Sequence, residues 1–157
     1  MLTLDDILNL KSLNQPLLSL DIGEKRIGVA LSDRTWMIST GLDVINHKKF
    51  SVSAAEIHKL YKDNNACAIV IGHPKNMDGT DGPRSQSIHD FGRNLVRTYP
   101  DINYILWDER LSTVAVETVL IEADLTRKKR KTVVDKLAAT YILQGFLDRI
   151  QCKISQI

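Results

Sequence analysis

Apolar residues along the chain change rhythm several times, and each change marks an element. Residues 17–23, LLSLDIG, form a short apolar run with one acid inside it. Residues 26–33, RIGVALSD, follow after only a short turn at Gly23–Lys25, which predicts an antiparallel hairpin. ISTGLDVI, 38–45, gives a third strand, weakened by Gly41. Over 51–65 the spacing becomes helical, with Ala54, Ile57 and Leu60 inward behind a serine cap. CAIVIGH, 67–73, is a continuous apolar run, the pattern of a central strand covered on both faces. Residues 74–85 are a loop by composition, with Pro74, Gly79, Gly82 and Pro83. A helix over 85–99 turns Ile88, Phe91 and Leu95 inward, and a strand follows at 104–109. Ser112 or Thr113 then caps a helix reaching to Ala123, with Val116, Val119 and Leu120 inward. The last helix, 132–150, carries a stripe that includes Val134, Leu137, Ala138, Tyr141 and Phe146.

Three closely spaced strands suit an antiparallel meander, and strands that alternate with helices suit parallel pairing. The expected fold is therefore α/β, a mixed sheet with helices on both faces, and the ribonuclease-H-like arrangement fits that order best. Leu4, Ile7 and Leu8 behind Thr3 predict a short helix within an N-terminal extension, 1–16. A single domain spans 17–150 and a tail occupies 151–157. There is no repeat and no interdomain linker.

Composition changes this picture little. The hydrophobic fraction of 43% and the charged fraction of 25% are ordinary for a globular protein, and the net charge is only +2. The distribution is more telling, because Arg127, Lys128, Lys129, Arg130 and Lys131 stand in a row. Such a run is a solvated loop or a contact to a phosphate backbone. Cys67 and Cys152 match no metal or redox spacing, and Cys67 lies in an apolar run as a small buried residue. The first residues carry Asp5 and Asp6 and lack a basic start, which excludes a secretory signal. No segment approaches the roughly 20 apolar residues of a membrane span. A reducing cytoplasm is expected.

Three acids sit where a purely structural role is hard to supply. Asp21 lies inside the first apolar strand, Glu109 ends a later one, and Asp135 lies beside the stripe of the last helix. A buried carboxylate needs a cation, a donor or water. In the expected sheet Asp21 and Glu109 converge at one edge and the last helix brings Asp135 over the same point. Three carboxylates make an all-oxygen site, which suits Mg²⁺ or Mn²⁺, two ions being the arrangement that clamps a phosphodiester for attack by water. Taken singly, an acid at such a position is more often solvated or paired, here with Lys25, Arg26, Arg110 or Lys136, than catalytic; the three together in this order of elements favour the site. Asp108 and Glu109 are adjacent, so strand alternation sends them to opposite faces: Asp108 with Tyr104 and Leu106, Glu109 with Ile105 and Trp107.

The turn DIGEKRIG matches neither phosphate-loop pattern, GxxxxGK[ST] or GxGxxG. Its Lys25 and Arg26 either meet a phosphate or simply decorate a hairpin. The loop after 67–73 leaves the end of a central strand, where open α/β sheets bind ligands, and Lys75, Asn76 and Arg84 are its candidate contacts to phosphates or bases.

Four segments together, LDIGEKRIGVALSD, IGHPKNMDGTDGPRSQSIHDF, LWDERLST and RKKRKTVVDKLAATYILQGFLD, resemble the YqgF family of bacterial ribonuclease-H-like proteins. That family is described both as Holliday-junction-resolvase-like and as nucleases maturing the small-subunit ribosomal RNA precursor. The resemblance implies that Asp21, Glu109 and Asp135 bind divalent metal and support phosphodiester hydrolysis. It places Arg110 and Thr113 in the same motif as Glu109, in support of substrate or site. It leaves Asp108 as a structural acid that orders Arg110 or a neighbouring loop. His73 stands where leucine is common in the family and receives no catalytic role.

The expected activity is a metal-dependent endonuclease on precursor ribosomal RNA, with the small ribosomal subunit precursor as a partner. The alternatives are a junction-resolving DNA nuclease, for which a symmetric dimer is favoured, and a non-catalytic ribosome-associated RNA-binding protein. An actin-type ATPase also carries an aspartate before a glycine in its first strand, but needs two lobes where this chain has room for one.

Overall fold

The structure, a computed structural model, describes residues 1–73, 82–108 and 127–155, and the side chains of 127–135 are not included in that description. Residues 74–81 of the loop expected over 74–85, Glu109 and the helix expected from 112 or 113 to 123 lie outside it.

Five strands form one sheet: β1 (Leu17–Ile22), β2 (Arg26–Ser32), β3 (Ser39–Asn46), β4 (Ala68–His73) and β5 (Tyr104–Asp108). Their order is β3-β2-β1-β4-β5. The β1/β2 and β2/β3 pairs are antiparallel, while β1/β4 and β4/β5 are parallel. The mixed sheet expected from the element order is therefore present, with β1 at its centre.

Alternation sorts the strands into two cores. Leu18, Leu20, Ile22, Ile69, Ile71 and Tyr104 pack under helices α2 (Phe50–Asp63) and α3 (Pro83–Thr98). Leu17, Ala30, Val70 and Ile105 pack on the other face under α1 (Leu4–Leu10) and α4 (Arg127–Ser155). Every residue of β4 is buried, as a strand covered on both faces must be. The first helix carries a full capping box: Asp6 N–H donates to Thr3 Oγ1 and Thr3 N–H to Asp6 Oδ2. Its Ile7 is fully buried in the α4-side core, so residues 1–16 join that core rather than hang from it.

Several boundaries differ from the sequence reading. Helix α2 starts at Phe50, with Lys49 at the cap position and no side-chain cap. Helix α3 starts at Pro83 rather than 85, because proline is tolerated at the first helical position, where its missing N–H costs nothing. The basic run is not a loop. Residues 127–131 form the first turns of α4, since lysine and arginine are good helix formers and the run leads directly into the apolar stripe. The same helix continues through 151–155. Tyr141 is half exposed instead of inward. It lies five residues from Phe146, about 140° around a helix, so the two cannot share a face. The buried stripe runs through Ala139, Ile142, Leu143, Phe146, Leu147 and Ile150.

Candidate functional site

Asp21 is half-buried, one residue before the end of the central strand. Its partner on β2 is Gly28. On β4, Ile71 pairs with Leu20, so the next residue, Gly72, comes level with Asp21 on the other side. Asp21 thus has a glycine on each neighbouring strand.

Three contacts fix how α4 crosses this face. Ser39 N–H donates to Gln144 Oε1 at 2.9 Å, in the row of Leu17 and Ser32. Ser19 Oγ donates to the Ala139 carbonyl at 2.8 Å. Gly41, in the row of Ser19 and Ala30, lies against Lys136 and Thr140, where an added Cβ would come within 2.6 Å of Lys136 Cγ. The helix therefore runs antiparallel to β1. Four residues back from Ala139 is about 6 Å along the helix, and two residues along β1 from Ser19 is about 6.7 Å. Going from Ala139 towards Asp135 along α4 therefore runs in the same sense as going from Ser19 towards Asp21 along β1. The Asp135 side chain lies outside the described residues.

On β5, Gly72 pairs with Trp107 and His73 with Asp108. Trp107 is on the α4 face, edge-on to Phe146 at 5.4 Å between ring centroids. Asp108 shares the row of His73, and the His73 imidazole Nε2 meets Ser85 Oγ of α3 on the other face. The sheet plane thus separates Asp108 from Asp21. Glu109, the next residue, lies outside the described residues. Among the described residues no three His, Cys, Asp or Glu side chains gather as a metal site.

The expected cationic residues fall into three groups. Lys25 and Arg26 lie in the tight β1–β2 turn, where Gly23 N–H donates to the Arg26 carbonyl at 2.9 Å. A Cβ on Gly23 would approach that oxygen to 2.8 Å, which is why the turn takes glycine. Arg84, on the first turn of α3, donates from Nη2 to the Ile22 carbonyl at 3.1 Å, so it is anchored to the tip of β1 beside Asp21. Lys75, Asn76, Arg110 and Thr113 lie outside the described residues, as do the side chains of Arg127, Lys128, Lys129, Arg130 and Lys131.

The sequence reading missed the buried pair of His73 and Ser85, with His89 edge-on to His73 at 4.7 Å. Nothing in the sequence signals Ser85 as its partner. Ser19 carried a usable signal, a hydroxyl inside an apolar strand that must find an acceptor. Away from the site, burial pushes the Cys67 thiol up to about 11, in keeping with an inert core residue.

Two solved structures share this fold. The RuvC of T. thermophilus, in complex with a Holliday junction substrate, superposes with a TM-score of 0.52 at 11% identity, covering 87% of this chain and 96% of that one. The fowlpox virus Holliday junction resolvase gives 0.53 at 17% identity, covering 86% and 99%. The fold is therefore ribonuclease-H-like, with Asp21 near the tip of its central strand. Residues 15–149 match the family described as "RuvX: Holliday junction resolvase", and the chain belongs to this family, the same as YqgF, a family of nucleases. A protein of Phenylobacterium zucineum (strain HLK1) named "Putative pre-16S rRNA nuclease" is 52% identical over 139 residues, covering 88% of this chain and 89% of its own. One of the same name from Caulobacter vibrioides (strain NA1000 / CB15N) is 54% identical over 133 residues, covering 84% and 85%. No helix among the described residues is long and apolar enough to cross a membrane.

Proposed function

We propose that the chain is a divalent-metal-dependent endonuclease that hydrolyses phosphodiester bonds during maturation of the small-subunit ribosomal RNA precursor in the cytoplasm. What supports this is Asp21 near the tip of the central strand, between Gly28 and Gly72 of the neighbouring strands, on the face that α4 crosses through the Ser19–Ala139 hydrogen bond. Strand alternation in the sequence assigns Glu109 to the face of Trp107, which is also the face of Asp21. The donor set would be all carboxylate, which fits Mg²⁺ or Mn²⁺ and not the softer metals. When bound, two such ions supply an activated water and stabilise the leaving oxygen. The acids hold the ions and need carry no proton.

Around that point Lys25, Arg26 and Arg84 would meet the phosphate backbone, joined by Lys75, Asn76, Arg110, Thr113 and the five cations of the first turns of α4. The choice of RNA follows the names of relatives sharing about half their residues with this chain. The family description favours a second reading, resolution of branched DNA.

The test is cleavage of precursor ribosomal RNA and of a four-way DNA junction, each with Mg²⁺ or Mn²⁺ and each with EDTA. Asp21→Asn, Glu109→Gln and Asp135→Asn should each bring metal-dependent cleavage of the RNA below detection while the circular dichroism spectrum stays unchanged. Full activity in any one removes that residue from the metal site. Cutting of the junction alone transfers the protein to the second reading. Neutralising Lys128 and Lys129 should weaken binding and flatten its salt dependence, by about 0.7 in log–log slope per lost contact on a single strand.

A further inference from the structure

We propose that a cleft at the tip of β1, on the sheet face opposite Asp21, receives one unstacked nucleobase of the substrate strand; this rests on the nuclease reading above and adds a base subsite to it. The cleft has a volume of about 570 Å³. Its apolar lining is Ile22, Ile88 and Phe91, and its polar lining includes Arg84, Ser87 and His47.

Position connects the cleft to the chemistry. Ile22 follows Asp21 directly, so the two side chains leave the strand on opposite faces with their Cα atoms about 3.8 Å apart. A strand lying across the tip of β1 with a phosphate at Asp21 has the cleft within reach of an adjoining base.

The lining selects a base over a phosphate. An apolar floor does not solvate a dianion, and the Glu24 carboxylate, which also lines the cleft, offsets the charge of the Arg84 guanidinium at the rim. A nucleobase offers apolar faces to such a floor and donors and acceptors at its edge. The polar groups are held in place. Arg84 spends one of its five N–H donors on the Ile22 carbonyl, which fixes the guanidinium at the rim. His47 Nδ1 shares a 2.9 Å hydrogen bond with Ser53 Oγ, and its ring stands edge-on to Phe91 at 5.9 Å.

The probes are guanosine 5′-monophosphate and ribose 5-phosphate, which carry the same phosphate with and without a base. Each is titrated into the full chain in EDTA, followed by amide NMR. The nucleotide should give saturable shifts at Ser87, Ile88 and His47, and ribose 5-phosphate should give none there. Ser87→Trp, at an exposed position, fills the cleft without entering the core; it should abolish the shifts and raise KM for the cleaved nucleic acid several-fold with kcat kept. Absence of shifts with the nucleotide, equal shifts with ribose 5-phosphate, or shifts that survive in Ser87→Trp each overturn the base subsite. Failure of the wild-type chain to cut any nucleic acid in Mg²⁺ or Mn²⁺ is a separate result that overturns the nuclease reading and leaves the titration interpretable.

Discussion

The Ser19 hydroxyl donates to the Ala139 carbonyl at 2.8 Å, between two fully buried residues of the central strand and the last helix. This bond keys α4 to β1 two residues before Asp21. Ser19→Ala should cost about 1 kcal/mol in urea denaturation, the ordinary net worth of one hydrogen bond. It should also lower kcat with KM little changed, because the helix is no longer keyed to the strand. An unchanged kcat would show that packing alone holds the helix in place.

Glycine within a helix usually gains stability on replacement by alanine, by up to about 1 kcal/mol. Gly92 of α3 should do the reverse. A Cβ there would lie 2.6 Å from Cε2 and 2.8 Å from Cζ of Tyr104, whose buried ring has little room to yield. Overpacking of this kind costs about 1–3 kcal/mol. Gly92→Ala should lower Tm, at about 2–4 °C per kcal/mol. A raised Tm would mean that β5 and α3 part easily.

His73 and Ser85 share a hydrogen bond in a buried setting at the ends of β4 and α3. Ser85→Ala withdraws the hydroxyl from a buried ring nitrogen and should cost about 1–3 kcal/mol. The double variant His73→Leu, Ser85→Ala should lose less than the sum of the two single losses, because the two groups meet each other. Additive losses in the double-variant cycle would show that the two side chains act independently.

The turn after β2 contains a carboxylate under opposing influences. Burial pushes Asp33 up, but the Thr35 hydroxyl and the backbone N–H groups of Ile38, Met37 and Thr35 outweigh it and hold the carboxyl at about 2, below its ordinary 3.8. A folded value below the unfolded one stabilises the native state above about pH 4, and this contribution is lost as pH falls through about 2. Asp33 is exposed, so the effect is modest. Asp33→Asn should be less stable than wild type at neutral pH, and the difference should shrink below pH 4. A gap constant down to pH 2 would assign the loss to turn geometry instead. Fluorescence of Trp36 reports the same turn, since its indole is fully buried, donates from Nε1 to the Gln15 carbonyl at 2.7 Å and sits at φ 61°.

The strands and the mixed character of the sheet were legible because two short links and one all-apolar run leave few ways to assemble a sheet. The two faces of β5 were legible for the same reason: once Tyr104 and Leu106 go under α3, Ile105 and Trp107 must go under α4. The start of α3 was hidden because Pro83 reads as loop by composition and as helix only by position. The stripe of α4 was misread at Tyr141, since an aromatic near the right spacing resembles core until the helix is set against the sheet. The glycines beside Asp21 were visible as letters but not as neighbours, because a row across three strands exists only after pairing. Trp36 had no periodic context, and the Asp33 bonds that shape its turn are specific to the folded chain.

Gly28 and Gly72 carry a consequence for how this protein can be improved. Glycine inside a strand forfeits roughly 0.5–1 kcal/mol relative to alanine, so the two central neighbours of β1 are weakest in the row of Asp21. A side chain at either site would stand about 5 Å from that carboxylate, firming the sheet and narrowing the approach together. With Asp21 as the metal ligand proposed above, robustness and turnover are set against each other at a single row, and selection for heat resistance should find its gains elsewhere in the chain.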